Sequence, residues 1–302
     1  MNTDMLEIKT VHQCNCRLGG KTLCPQACII RMDGSGETPD EAEKVRFGFY
    51  SILLIEHENG EKTCCGCNKY DFSDATMVFL PPERPFTMDD GCAFPEKGWL
   101  IAFQKELFCN TRTYNELEKY SFFSYDCKEA LHLSLREKNK ILECIHLMDE
   151  ELRHPADCHS EILLVRCIEL ILDYCTRYYE RQFITREDKN ESLVKRMDAF
   201  LDEFISSGKL EHRIYPSPAL CAAELGLSEE YFSDMLKFHT GKTLREYFDL
   251  KLISLSQKML LERNASPEHV AKHLGFRNID YFNLVFKKIT GVAPGEYLLS
   301  RN

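Results

Sequence analysis

The chain is 302 residues long, with 44% hydrophobic and 28% charged side chains, an ordinary folded composition at a length that suits two domains. With 15 glycines and 11 prolines, it is not a disordered chain, a collagen-like fibre or a low-complexity linker. The net charge of −10 argues globally against a nucleic-acid binder, but residues 191–302 hold 15 basic and 15 acidic side chains, so the whole acidic excess lies in the first 190 residues.

The N-terminus, MNTDMLEIKT, carries two acids and no apolar segment, so no secretory leader is expected. The longest apolar stretches, around residues 51–55 and 162–165, fall far short of the roughly 20 residues that span a membrane. A cytoplasmic protein with no membrane association is the expectation. Fifteen cysteines then read as free thiols in a reducing compartment, packed as small apolar groups.

The first 125 residues read as β-rich. Residues 47–56 (FGFYSILLIE) form a strand-like run closed by Asn59-Gly60. Residues 63–71 and 76–80 follow, and Pro81-Pro82 forbids further regular pairing. Residues 99–103 (WLIAF), entered from Gly98, make another short strand. The spacing suggests a small barrel or sandwich. Residues 135–152 then carry a helical apolar stripe broken by His154-Pro155. Residues 160–183 form a second long helix, apolar around much of its circumference, which is either packed on two sides or paired with another subunit. Between them, residues 154–159 read as a turn with a capping acid. The charged stretch 186–191 (REDKNE) is the linker candidate.

From residue 192 onward the pattern is helical, and it repeats. Ser217-Pro218 recurs as Ser266-Pro267 and Leu225-Gly226 as Leu274-Gly275, each 49 residues on; Tyr231-Phe232 recurs as Tyr281-Phe282 and Thr240-Gly241 as Thr290-Gly291, each 50 residues on. Each unit opens with a serine cap and a proline at the first helical position, where its missing N–H costs nothing. Glycine supplies the turn, and Ser228 or Asn278 can cap the second helix. Helix, glycine turn, helix is a helix-turn-helix. Two matched copies joined by an amphipathic helix over 243–262 are far more specific than one, although a repeat that only scaffolds other elements would share the pattern.

At these residues the chain resembles the AraC/XylS family of transcription regulators. Residues 217–241 and 266–297 match its two DNA-binding units, and GFRNIDYFNLVFKKITGVAPGEY (275–297) carries the family signature. More loosely, FLPPERPF (79–86), GWLIAF (98–103), ALHLS (130–134) and ERQFITR (180–186) resemble members of the family from Bacteroidetes, with a cupin-like sensor barrel and dimerising helices. The resemblance implies an α+β chain: a cupin-like β-barrel sensor over residues 1–130, a helical connector over 131–190, and an all-α domain with two helix-turn-helix units over 191–302. It implies that Glu230, Ser233 and Asp234 face bases in the first unit and Ile279, Asp280, Asn283 and Leu284 in the second. Lys237, Lys287 and Lys288 would reach phosphates, and Arg277 adds to the charge of the second unit. Related regulators carry basic or amide residues where this chain has Glu229, Glu230 and Asp234. Acids can accept from cytosine N4, yet they lower affinity beside phosphates.

Cys64-Cys65-x-Cys67, Cys14-x-Cys16 and Cys24-x3-Cys28 invite a zinc or redox reading, but paired ligands with a second pair downstream are lacking, so ordinary thiols and no metal are expected. Glu56-His57-Glu58 lacks the His-x-His pair of a cupin metal centre and reads as a solvated strand end. No Ser/His/Asp order, phosphate-cradling loop or dinucleotide fingerprint appears, so neither catalysis nor a cofactor is expected. The sequence thus points to a homodimeric regulator of a promoter or operator in double-stranded DNA, responsive to a small-molecule effector, with RNA polymerase as a further candidate partner. The alternatives are a cupin-type metalloenzyme fused to a helical domain, and an interaction scaffold with weakened DNA binding.

Overall fold

A computed structural model of the chain describes residues 5–33, 44–57, 66–67, 71–86, 97–109, 111, 113–262 and 265–299. It divides into two compact units, Met1–Arg186 and Glu187–Asn302.

The first unit holds two sheets. Strand β1 (Met5–Ile8) pairs in parallel with β3 (Lys44–Phe47), which pairs antiparallel with β6 (Pro85–Phe86). The larger sheet is antiparallel, in the order β2 (Ala27–Asp33), β7 (Lys97–Phe103), β4 (Tyr50–Glu56), β5 (Ala75–Leu80) and β8 (Leu131–Leu133). Its central strands read as unbroken apolar runs because both faces are covered. One face, with Cys28, Ile30, Leu53, Ile55, Val78, Leu80 and Leu100, shares a core with Val45, Phe47 and Phe86 of the smaller sheet and with Val11 and Cys14 of helix α1 (Val11–Arg17). The other face is covered by α3 (Leu135–Arg153) and α4 (Ser160–Thr185): the Trp99 and His146 rings lie 5.6 Å apart edge to face, and Cys175 Sγ of α4 sits 3.8 Å from Met77 Sδ of β5.

Several expectations are corrected. The single strand over 47–56 is two, because the chain turns at Gly48, whose N–H donates to Ile8 O at 2.9 Å. A side chain there would stand 2.8 Å from Lys9 O, so only glycine permits the approach. No strand occupies residues 66, 67 and 71; the rest of the strand expected over 63–71 lies outside the described residues, as do Cys64, Cys65, Glu58 and the Asn59-Gly60 turn. His57 is not merely a solvated strand end, since its Nε2 lies 2.9 Å from Thr76 Oγ1. The linker expected over residues 186–191 falls at the boundary between the two units, but it is helical from Glu187 onward. Arg186 is buried, and α5 (Glu187–Ser206) begins immediately with Glu187 and Asp188 in its first turn, where acids suit the helix dipole.

The long helix α4 is packed on two sides, by α3 and by the sheet. Ile171 and Leu172 are fully buried, while Leu163 and Leu170 remain 46% and 42% exposed. Asp157 caps α4 as expected, accepting from the backbone N–H groups of His159 (2.8 Å) and Ser160 (3.0 Å). These bonds hold its carboxyl below the usual carboxylate range. Among the described residues, no helix is long and apolar enough to cross a membrane.

Candidate nucleic-acid interface

The second unit is helical throughout its described residues. Helices α5, α6 (Pro218–Leu225) and α7 (Glu229–Thr240) pack together, and α8 (Leu244–Glu262) leads to α9 (Pro267–His273), α10 (Ile279–Thr290) and α11 (Pro294–Leu299). Each expected cap is present. The hydroxyls of Ser217, Ser228 and Ser266 accept from Leu220 N, Tyr231 N and His269 N, and Asn278 Oδ1 accepts from Tyr281 N at 2.7 Å. The turns at Gly226 and Gly275 have φ of +70° and +76°, the left-handed region that costs other residues about 1 kcal/mol or more.

Helix α8 buries Leu244, Phe248, Leu252, Ile253, Ser256, Met259 and Leu260 along one stripe and touches α7, α9 and α10. Lys251 of α8 pairs with Asp198 (2.5 Å) and Asp202 (3.0 Å) of α5, answering two of the unit's acids. At its start, Thr243 and Glu246 form a reciprocal cap: the Thr243 N–H donates to Glu246 Oε2 at 2.9 Å and the Glu246 N–H donates to Thr243 Oγ1 at 3.3 Å. The Thr243 bonds hold the Glu246 carboxyl below its ordinary value.

Arg245 was not singled out by sequence reasoning, because one arginine on a helix carries no signal of its partners. Its guanidinium lies 5.3 Å from the Tyr215 ring and 5.8 Å from the Tyr281 ring, donates to Tyr281 Oη at 3.2 Å, and pairs with Asp249 at 3.3 Å. The Tyr215 hydroxyl in turn donates to the carbonyl of Gly275. One cation therefore ties the segment before α6, the central helix and α10 together. Burial pushes the Asp249 carboxyl up, with Arg245 acting against it.

The second helices of the two motifs turn matched faces outward. In α7 the buried side is Tyr231, Phe232, Met235 and Leu236, and in α10 it is Phe282, Val285 and Phe286. Opposite them, Glu230, Ser233, Asp234 and Lys237 stand at i, i+3, i+4 and i+7, one helix face. Asp280, Asn283, Leu284 and Lys287 repeat that face 50 residues later. Glu230, Lys237, Asp280, Leu284, Lys287 and Lys288 are exposed; Ser233, Asp234, Ile279 and Asn283 are half-buried; Arg277 is exposed in the turn before α10. The charge of Lys288 acts on Glu246 and Asp249 of α8, favouring their ionised forms. Sequence reasoning also passed over Phe238, an aromatic 42% exposed where the second unit has Lys288.

This geometry suits a duplex. Two short helices each present a polar outward face, on a scaffold whose caps and turns are satisfied internally. Each can offer side chains to base edges in a major groove, with lysines at the flank for phosphates.

Comparison with known proteins agrees. The family model described as a helix-turn-helix domain matches residues 221–300. YobQ of Bacillus subtilis (strain 168), named an uncharacterized HTH-type transcriptional regulator, is 40% identical over 68 residues, which are 22% of this chain and 28% of YobQ. YesN of the same organism, named an uncharacterized transcriptional regulatory protein, is 33% identical over 75 residues, 24% of this chain and 20% of YesN. The chain thus spans less than a third of these relatives' lengths. The solved C-terminal domain of the response regulator yesN from Fusobacterium nucleatum is 23% identical, with a TM-score of 0.28 over 33% of this chain and 96% of that one.

Proposed function

We propose, from the AraC-type helix-turn-helix domain that residues 221–300 form, that this chain is a sequence-specific DNA-binding transcription regulator. The observation that carries the proposal is the matched outward face of α7 and α10. The repeat preserves the buried side of each helix and the turn before it, and leaves a polar surface at the same phase in both copies. A structural repeat would also turn a polar face to solvent, so the reading rests on that face together with the match of residues 221–300 to the helix-turn-helix family model. Lys237, Lys287, Lys288 and Arg277 supply phosphate contacts in this reading. Glu230, Ser233, Asp234, Ile279, Asp280, Asn283 and Leu284 face base edges, where Asn283 pairs with adenine and Leu284 packs on a thymine methyl.

Two further parts belong to the reading. Regulation by a small molecule falls to the β-rich first unit, as a cupin-like sensor; a cleft of about 500 Å³ lined by residues including Lys21, Arg31 and Arg153 supports it. Homodimerisation falls to the outer side of α4, where Leu163 and Leu170 lie exposed with Leu147 of α3. Ile171 is core, so the interface is tested with Leu163→Asp and Leu170→Asp, which should give monomers by light scattering with an unchanged circular dichroism spectrum.

The main test is selection of bound sequences from a random duplex pool by the full chain, followed by footprinting on a selected site. Two protected segments about one helical turn apart are expected, and a pool that stays random after several rounds would sink the proposal.

A further inference from the structure

Across the described residues, one group of side chains in the first unit brings three ligand atoms of different chemistry together: the Cys67 thiol, the Asp71 carboxylate and the His132 imidazole, all within 4.8 Å of one another. The local fold holds each in place. Gly66 has φ of +70° and lies so close to Lys128 that any side chain would collide with the Lys128 carbonyl, which fixes the turn carrying Cys67. His132 lies in β8, where its backbone N–H donates to Gln182 Oε1 at 2.8 Å and its carbonyl accepts from Arg181 Nη2 at 2.7 Å. On the ring, Nδ1 lies 3.1 Å from Thr76 Oγ1, and Nε2 faces Asp71 Oδ2 at 4.0 Å. The Thr76 hydroxyl, itself 2.9 Å from His57 Nε2, holds the ring through Nδ1 with Nε2 facing Asp71, and a metal-binding histidine is likewise oriented through its other ring nitrogen.

A fourth group completes the cluster. Arg186 donates through Nε to Asp71 Oδ1 at 2.9 Å and through Nη2 to Asp71 Oδ2 at 2.7 Å, with side-chain exposures of 3% and 0%. Arg186 is the last residue of the first unit, and α5 of the helical unit begins at the next residue. A buried ion pair thus holds the last residue of the first unit to Asp71 of the same unit.

We propose that Cys67, Asp71 and His132 bind a borderline-soft divalent cation, of which zinc is the type, and that the ion takes Asp71 from Arg186. The donor set of one sulfur, one nitrogen and one carboxylate oxygen suits zinc. Bonds of about 2.0–2.3 Å in a tetrahedron bring ligand atoms to about 3.3–3.8 Å from one another, so side-chain shifts of about 1 Å close the site. On binding, the Cys67 S–H bond breaks, its proton leaves to solvent, and the sulfur bonds the ion. The hydrated ion sheds all its waters but one, the protein ligands taking three tetrahedral positions and the retained water the fourth. Charge then decides the fate of Arg186. With a protonated thiol, the Asp71 carboxylate and the Arg186 guanidinium cancel. With a dipositive ion, a thiolate and a carboxylate, these groups are neutral if the guanidinium leaves or if the retained water gives up a proton. A buried net charge is costly, and Arg186 holds both Asp71 oxygens, so the ion competes with the arginine for the carboxylate. Occupancy is thereby coupled to the junction residue that precedes α5.

The test uses the reduced full chain, titrated with cobalt(II) and then with zinc in competition with a chromophoric chelator. Thiolate-to-cobalt absorption should appear and zinc should remove it. Cys67→Ser should lower the bound metal by one equivalent with loss of that absorption, and His132→Gln should weaken binding at least tenfold. Arg186→Gln should tighten it about tenfold. Since that variant leaves a buried carboxylate and could fold poorly, backbone hydrogen exchange over residues 183–190 of the unaltered chain provides a second measure. Zinc should accelerate it. A Cys67→Ser protein with the parent stoichiometry and spectrum overturns the site. Unchanged exchange with zinc bound, or weaker binding by a folded Arg186→Gln protein, overturns the displacement of the arginine.

Discussion

At positions 50 residues apart, helix α7 presents Glu230, Ser233, Asp234 and Lys237 where α10 presents Asp280, Asn283, Leu284 and Lys287. Their buried sides are nearly interchangeable: Phe232 and Phe282 are fully buried in both, Met235 answers Val285, and Leu236 answers Phe286. The two copies therefore fold for one reason, an aromatic-aliphatic stripe behind a capped turn, and differ in what they show to solvent. Helix α7 carries Glu229, Glu230 and Asp234 against Lys237, while α10 carries Asp280 against Lys287 and Lys288. Phosphate affinity should come from the second copy, and the first should act through selectivity. Packing and recognition have separated within one repeat, because burial constrains one face of each helix and leaves the other free.

The largest effect should come from the turns. Gly226 and Gly275 have nearly the same φ, yet a methyl at Gly226 would meet nothing within 4 Å, whereas at Gly275 it would stand 2.3 Å from the Leu210 carbonyl oxygen. Gly226→Ala should cost about 1 kcal/mol for the left-handed conformation alone. Gly275→Ala adds a backbone collision and should cost about 2–4 kcal/mol in all. Denaturant midpoints of the two variants measure this, and equal shifts would mean the second turn is not pressed against residue 210.

The next effect is electrostatic. Lys287→Ala with Lys288→Ala removes the two phosphate contacts proposed for α10, and the slope of log K against log salt should fall by about 2. Lys237→Ala in the first copy should change it by about 1 or less. A slope untouched by the lysine pair would mean that α10 does not dock as proposed.

The sequence disclosed the repeat almost completely, because its signals are local. Serine caps, a proline at the first helical position and glycine at the turn act within a few residues, and all reappear in the structure. The β-rich unit was less legible. Helix α1 (VHQCNCR) and strand β2 (ACIIRMD) carry no sequence signal of their own, although Cys14 and Cys28 pack as the small apolar thiols expected. The split of 47–56 at Gly48 depends on the approach of Ile8 and Lys9, about 40 positions earlier. The Arg245 clamp and the Cys67, Asp71 and His132 cluster are equally non-local, with 65 positions separating Cys67 from His132. The charged run 186–191 marks the boundary between the two units, at Arg186–Glu187, but the burial of its arginine by a carboxylate 115 positions away is shown by no window of sequence.

A subtler contrast concerns specificity. Asn283→Ala should lose about 1–3 kcal/mol of discrimination at one base position, the worth of the bidentate amide-adenine pair proposed for it, whereas Ser233→Ala in the first copy should lose less. Glu230→Ala sharpens the comparison further. If the acid reads a cytosine amino group, the variant loses discrimination at that base. If it only faces phosphates, non-specific affinity rises while specificity is unchanged.

The smallest effect separates the copies by pH. His239 in α7 stands where α10 has Ile289, and its Nε2 is buried with no hydrogen-bond partner among the described residues. Burial pulls the imidazole below its ordinary value, with Glu187 acting weakly against that shift. The unfolded chain therefore takes the proton first, at about pH 6.5. The stability that neutral His239 provides is present above that pH and is lost as the pH falls. Hydrogen exchange should quicken in α7 before α10 as a sample is taken from pH 7.5 to 5.5, after correction for the intrinsic exchange rate. His239→Ile should remove the difference, since isoleucine fills the same half-buried position without a titrating group. If α7 and α10 open in step in the unaltered chain, or if the isoleucine variant keeps the gap, the pH contrast between the copies does not arise from His239.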